Sequence, residues 1–308
     1  MRAVTVTGPQ GFDSIDIADL PMPTPGPGQL RVRVRANAVH PADLAAANGA
    51  FAHLTPPGER RVLGWDLAGT VDAVGSGVQR FQPGDEVVGL TFWLAAGAGV
   101  QAEYALLDES ATALAPAGVD PILAATVPLN ALTAAYALDL ADLPAGATLA
   151  VVGAAGAVGG FAVQLATARG LRVVGVATAQ DEQLVRDQGA VWFVDRSEPL
   201  AARIRALIGD GVDGLYDPAL AGAAALAAVR DGGVYVNGYP VAPEPERGIR
   251  TEGVQVAADG VRLAELVGLV EQNRLRLRVA ETYPLAEAAT AYKRLAAGGV
   301  RGGIVLAG

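Results

Sequence analysis

The sequence predicts an α/β protein of two domains: a small β-barrel over roughly residues 1–115, then a doubly wound parallel sheet from about residue 120. Three observations carry this. The chain has 308 residues, enough for two domains at the usual ~150 residues each. Its first third alternates with period two and is cut by glycine and proline, whereas its middle alternates strand-like and helical patterns. That order gives a parallel sheet with right-handed crossovers. Residues 148–177 read as strand, glycine turn, helix and second strand, with Gly153, Gly156 and Gly159 in the turn.

Taken in order, Met1-Arg2-Ala3-Val4-Thr5-Val6 opens on an alternating strand. It lacks the apolar core of a signal peptide, so a cytoplasmic location is expected. Residues 21–28 hold Pro21, Pro23, Pro25 and Pro27, too many for a helix or central strand. Arg31-Val32-Arg33-Val34-Arg35 alternates as a half-buried strand does. Between residues 64 and 88, short apolar runs are cut by Gly69, Gly75, Gly77, Pro83 and Gly84, the texture of a barrel with tight turns. Residues 121–140 are Ala/Leu-rich and helical.

Strands are expected at about 148–153, 171–177, 190–195, 212–217, 233–237 and 249–256. Helices are expected at about 158–169, 180–188, 198–208 and 219–230, with Ser197 capping the third. The remainder reads as a helix over 260–272, a strand near 275–281, a helix over 285–297 and a strand over 303–307. Pro284 starts the last helix and Gly298-Gly299 ends it.

Hydrophobic residues make up 51% of the chain, enough for a large core. No apolar run is read as reaching the ~18 residues of a bilayer span, so no membrane partner is expected. The net charge is −9. Nucleic-acid binders are basic, so no nucleic-acid partner is expected either. There is no cysteine, and His40 and His53 are the only histidines. Disulfides, thiol catalysis and cysteine- or three-histidine zinc sites are thereby excluded, and no metal site is expected. Lys293 is the only lysine, which leaves Schiff-base chemistry little to work with.

The 148–177 unit has the context that a dinucleotide fingerprint requires. Glycines let backbone approach a pyrophosphate, and the helix N-terminus offers N–H groups and a positive dipole end. Gly153, Ala154, Ala155, Gly156, Ala157 and Val158 are expected to line it; the alternative is a tight turn without ligand. An NAD site usually places an acid about 20 residues on. The second strand instead ends Val176-Ala177-Thr178, which favours NADPH, with NADH left open. Asp217 and Gly238 end the fourth and fifth strands, where nicotinamide contacts usually fall; the alternative is strand-end turn chemistry.

Several segments act together as a signature. They are Leu63-Gly64-Trp65-Asp66-Leu67-Ala68-Gly69-Thr70-Val71 through Gly75-Ser76-Gly77-Val78, then Phe81-Gln82-Pro83-Gly84-Asp85-Glu86-Val87-Val88-Gly89. Gln101-Ala102-Glu103-Tyr104, Pro128-Leu129-Asn130-Ala131-Leu132-Thr133-Ala134, the 153–159 turn and Arg301-Gly302-Gly303-Ile304-Val305-Leu306 follow. The ordered set resembles the zinc-free quinone oxidoreductase (zeta-crystallin-like) branch of the medium-chain dehydrogenase/reductase superfamily, over essentially the whole chain.

The resemblance implies a GroES-like β-barrel catalytic domain over 1–118 and 258–308, and a Rossmann domain over 119–257, with substrate in the cleft between them. It implies an NAD(P)H-dependent reductase that passes hydride to a quinone or to the β-carbon of an α,β-unsaturated carbonyl compound. The small-molecule quinone or enone is the partner, and the assembly is a homodimer. Two rivals stay open: a zinc-free alcohol or ketone oxidoreductase, and a non-catalytic nucleotide-binding structural or regulatory protein.

The resemblance also points to site residues. Thr133 falls near the nicotinamide, or else bonds back to its own helix. His40 stands where the family commonly has a cleft-lining asparagine; it would donate to a substrate oxygen, or else pack. Asp43, beside it, holds a turn. Phe51 stands near where many reductases carry a tyrosine and has no proton to give. Arg196 falls where the family often has a tyrosine close to the phosphate, and a guanidinium could bind that phosphate or be a solvated loop arginine. Asp181 stands where a base is common and would repel a 2′-phosphate. Asp66, Glu103 and Tyr104 read as structural.

Overall fold

The computed structural model describes residues 1–7, 11–50 and 59–308, so Phe51 and His53 lie outside it. Eight strands come first: β1 (Arg2–Thr7), β2 (Ile15–Asp19), β3 (Gln29–Val39), β4 (Arg60–Val62), β5 (Asp66–Val74), β6 (Glu86–Leu90), β7 (Tyr104–Asp108) and β8 (Thr112–Leu114). Then follow β9 (Thr148–Val152), β10 (Arg172–Ala177), β11 (Trp192–Asp195), β12 (Val212–Asp217), β13 (Val229–Asn237), β14 (Arg250–Gly253), β15 (Val279–Pro284) and β16 (Gly303–Ala307). The helices are α1 (Pro41–Ala47), α2 (Trp93–Ala96), α3 (Pro121–Ala124), α4 (Pro128–Ala141), α5 (Ala157–Ala168), α6 (Glu182–Asp187), α7 (Leu200–Ile208), α8 (Ala223–Leu226), α9 (Gly260–Glu271) and α10 (Ala288–Ala296).

These elements form two compact units. The first comprises Met1–Leu129, Ala257–Asn273 and Leu277–Gly308, and the second Asn130–Val256 with Arg274–Arg276. The first unit is built on β3, the alternating arginine strand. One edge of β3 pairs with β5, while the other takes β7 along its first half and β16 along its second. Register shifts at Arg31/Val32 and Val34/Ala36 bend it, as bulges do in barrels. Leu30, Val32 and Val34 point inward onto Leu67, Val71, Val87 and Leu107, which is why alternation was visible there.

The stretch from Val119 to Leu129, expected with the second domain, belongs to the first unit. α3 packs on β3 and β5, Thr126 lies under Gly303, and the Leu129 N–H donates to Asp66. The run Pro121–Ala141 is, against expectation, long and apolar enough to cross a membrane, but 72% of its most apolar window is buried inside the protein. Its composition therefore reflects core packing.

In the second unit all five residues of β9 are buried, as expected for a parallel strand covered on both faces. The helix expected over 219–230 shrinks to α8. Leu220 and Gly222 take positive φ (60° and 69°), which ends any helix entering there, and β13 already starts at Val229. Ser197 does not cap α7. Its N–H donates to Asp195 Oδ1 in a turn, and Pro199 takes the cap position.

Candidate dinucleotide site and a buried acid network

The second unit's sheet runs β11-β10-β9-β12-β13-β14, with parallel neighbours throughout. The order reverses between β9 and β12, so a crevice opens beyond their C-terminal ends. Gly153 follows β9 with φ +78°, where a side chain would be strained. Its N–H and that of Ala154 both donate to Val176 O, at 2.9 and 3.0 Å, which pins the turn to β10. Gly156 precedes α5 with no side chain to cap it. A Cβ on Gly159 would lie 2.2 Å from Gly153 O, so α5 sits directly on the turn.

Gly153, Gly156, Ala157 and Val158 are half-exposed at the crevice, whereas Ala154 and Ala155 are buried. Ala154 anchors the turn through its N–H and its buried methyl group.

At the tip of β10, the Thr178 hydroxyl donates to the Asp181 carboxylate, and the Asp181 N–H returns to Thr178 O at 2.8 Å. Asp181 is buried. The acid expected to face a 2′-phosphate is instead turned back onto its own turn. Asp195 pairs with Ala177 across the sheet, and the next N–H, that of Arg196, donates to Ala177 O at 2.7 Å. This backbone bond puts Arg196 beside Thr178. Its side chain is exposed and makes no hydrogen bond or ion pair among the described residues.

Gly238 and Asp217 need different accounts. A Cβ on Gly238 would lie 2.7 Å from Pro218 Cα, so glycine lets the ends of β12 and β13 converge. Asp217 does not face the crevice: it is fully buried, and its Oδ2 accepts from the Gly222 N–H (2.9 Å) and the Tyr235 hydroxyl (2.7 Å). It fixes the turn over 218–222. Burial, together with the Asp217 carboxylate, pushes the Tyr235 hydroxyl's pKa well up, so its proton stays in that bond. Thr133 is half-buried on α4.

The first unit holds a second polar cluster. His40 precedes α1, and its ring is 4% exposed, with Nε2 2.8 Å from Asp66 Oδ1. The other oxygen of Asp66 accepts from the Leu129 N–H at 2.9 Å. Asp43, also fully buried, accepts from the N–H groups of His40 and Gly64, both at 3.2 Å. The Tyr292 hydroxyl donates to Gln101 Oε1 at 2.8 Å and lies against Asp43. Gln101 Nε2 and Asn37 Nδ2 complete the network on backbone carbonyls.

This arrangement gives His40 the packing role rather than the donor role, and Asp43 holds the turn, its carboxylate accepting from the His40 N–H. A buried carboxylate requires a partner, and His40 supplies Asp66's, so its ring does not face open space. Burial draws the His40 pKa down, but the charge and hydrogen bond of Asp66, with the charge of Asp43, outweigh it and leave a net rise. Burial lifts the Asp43 carboxyl to about 6, against the opposing pull of His40. Sequence reasoning missed Tyr292 and Gln101 and gave Asp66 no partner. One signal was present: an acid between Trp65 and Leu67 at the head of an apolar strand.

Residues 26–117 match the family described as alcohol dehydrogenase GroES-like domain, and residues 188–306 match zinc-binding dehydrogenase. The chain is 32% identical to a quinone oxidoreductase of Pseudomonas aeruginosa over 283 residues, covering 81% of this chain and 83% of that one. A solved NAD-dependent alcohol dehydrogenase superposes with a TM-score of 0.88 at 30% identity, over 100% of both chains. A mycobacterial protein complexed with NADPH superposes at 0.85 and 29% identity, also over 100% of both. The described residues contain no group of three or more His, Asp or Glu side chains that could hold a metal ion.

Proposed function

Because the chain belongs to the quinone oxidoreductase branch of the medium-chain dehydrogenase/reductase superfamily, we propose that it is a zinc-independent reductase of quinones and α,β-unsaturated carbonyl compounds that prefers NADPH over NADH. The observation that carries the reading is the glycine turn at the point where the sheet order reverses, with Arg196 held beside the tip of β10. The residues fit a dinucleotide. Gly153 and Gly159 keep side chains out of the turn, and the N-terminus of α5 presents backbone N–H dipoles to a pyrophosphate. Arg196 offers a guanidinium to a 2′-phosphate, while Asp181 is withdrawn onto Thr178.

When bound, the cofactor supplies the hydride. The remaining work falls to the chain: it places the two reactants, keeps the turn rigid and excludes water. A quinone is a cyclic enedione, so it and an acyclic enone accept hydride by the same conjugate chemistry. Such chemistry needs few titratable groups, in keeping with this composition. The rival ketone-reductase reading needs a proton donor at the carbonyl oxygen, and its candidate, His40, is committed to Asp66. We assign the chain to a homodimer, which gel filtration with light scattering tests.

The test is NADPH and NADH oxidation across quinones, enones and saturated ketones, with and without a strong chelator, alongside elemental analysis. Reduction confined to saturated ketones, or one tightly held zinc per chain, overturns the reading. Arg196→Ala should weaken NADPH binding by about 1–3 kcal/mol, the worth of a charged hydrogen bond, and leave NADH nearly untouched. Equal losses for both cofactors remove the phosphate role.

A further inference from the structure

The last residues of β12 and β13, Asp217 and Asn237, are paired across the second unit's sheet. Side chains two apart on a strand share a face, so Tyr235 stands on the same face as both. All three are buried. Asp217 ties down the 218–222 turn through the Gly222 N–H. Asn237 does the same for the loop after β13: its Nδ2 donates to Val241 O at 2.5 Å and to Tyr239 O at 3.4 Å. A carbonyl only accepts, so the amide nitrogen must face the loop, and Asn237 Oδ1 is left toward the Tyr235 hydroxyl at 3.4 Å. The hydroxyl gives its single proton to Asp217 Oδ2 at 2.7 Å. It therefore sits between the anchors of the two loops.

Apolar packing does little to hold the loop tips. Leu220 keeps a φ of 60°, which a leucine rarely adopts, yet its side chain is 50% exposed, and Val241 is 81% exposed. The shapes of both loops therefore depend on their polar anchors. Those shapes bear on the dinucleotide turn. Ala219 is exposed, and a Cβ on Gly153 would come within 3.0 Å of its Cβ. The 218–222 turn thus lies against the glycine turn and walls the crevice where the sheet order reverses. The Gly238 N–H, donating to Asp217 O at 3.0 Å, joins the bases of the two loops.

We propose that Tyr235 is a positioning residue for the dinucleotide: its hydroxyl locks the loops beyond β12 and β13 to one another and so presets the wall that receives the nicotinamide half. The proposal rests on the reading of the chain as a dinucleotide-dependent reductase. Tyr235 is fully buried, so it acts through the loops rather than by touching the cofactor. A wall set in advance need not be ordered on binding, which makes binding tighter. The lock lies at the tips of β12 and β13, whereas Thr178 and Arg196 follow β10 and β11. The two halves of a dinucleotide laid across the crevice therefore feel the lock unequally.

The probes are NADPH, NADH and 2′,5′-ADP, the last carrying only the adenosine end, each titrated by calorimetry without an acceptor. Tyr235→Phe should weaken NADPH and NADH alike, by roughly 5- to 150-fold, the usual size of a coupling between two sites, and leave 2′,5′-ADP unchanged. Asp217→Asn keeps an oxygen for the Tyr235 and Gly222 donors and should retain most of the affinity that Asp217→Ala loses. Hydrogen exchange should quicken in Tyr235→Phe over both the 218–222 turn and the 238–241 loop. Equal weakening of all three probes, a lower melting temperature at unchanged NADPH affinity, or faster exchange confined to the 218–222 turn overturns the lock. Those results leave the reductase reading standing, whereas a wild-type chain that binds no dinucleotide overturns both.

Discussion

His40→Ala separates a structural histidine from a catalytic one. The substitution leaves the Asp66 carboxylate fully buried with the Leu129 N–H still donating to it at 2.9 Å. Breaking a buried ion pair from one side costs about 3–5 kcal/mol, because the remaining charge is uncompensated. At about 2–4 °C per kcal/mol for a unit of this size, melting should fall by roughly 6–20 °C. Adding Asp66→Asn to His40→Ala should recover part of that loss, since a neutral amide is cheaper to leave unpaired than a carboxylate.

The pH dependence has a definite sign. The folded pKa of His40 is raised above 6.5, so the pair's contribution is full below about pH 6.5 and is lost as pH rises through the folded value. The gap in melting temperature between wild type and His40→Ala should therefore narrow on the alkaline side. The assay is a melting series from acid to alkaline pH, with single-turnover NADPH oxidation by a quinone measured on the same samples. Loss of a transition-state donor would cost about 10²–10³ in rate. A loss of that size at unchanged melting temperature would refute the structural role, as would a gap that widens with pH.

Three further outcomes are expected. Gly159→Ala forces a Cβ to within 2.2 Å of Gly153 O; the turn must shift, overpacking should cost about 1–3 kcal/mol, and undiminished NADPH affinity by titration would contradict the packing argument. Tyr235→Phe removes one of the two donors to Asp217 Oδ2, and Asp217 Oδ1 has none among the described residues. It should cost about 1–3 kcal/mol and speed hydrogen exchange at Gly222, and unchanged exchange counts against the anchoring role. Burial holds the folded pKa of Asp43 at about 6, above its unfolded value. Its charged form is thus disfavoured, stability falls as pH rises from about 4 to about 6, and Asp43→Asn should flatten that limb of the melting curve.

What was legible in the sequence is what is local. The strand, turn and helix over 148–168 lie within one stretch, and the three glycines sit at a positive φ, at a helix start without a side-chain cap, and where a Cβ would come within 2.2 Å of Gly153 O. The direction of a side chain at a strand end is not local. Asp181 and Asp217 occupy the expected positions, yet Thr178 draws one inward and Tyr235, eighteen residues on, draws the other. The first-unit network lies further still from any sequence pattern. Its bonds join residues 26 positions apart at His40–Asp66 and 191 apart at Gln101–Tyr292. Even so, composition constrains it: an acid at the head of an apolar strand implies a buried partner, and a chain with two histidines and one lysine has few bases besides arginine to provide one. That scarcity, joined to the burial of Asp66, points to His40 as a partner for a carboxylate before it points to a donor for a substrate.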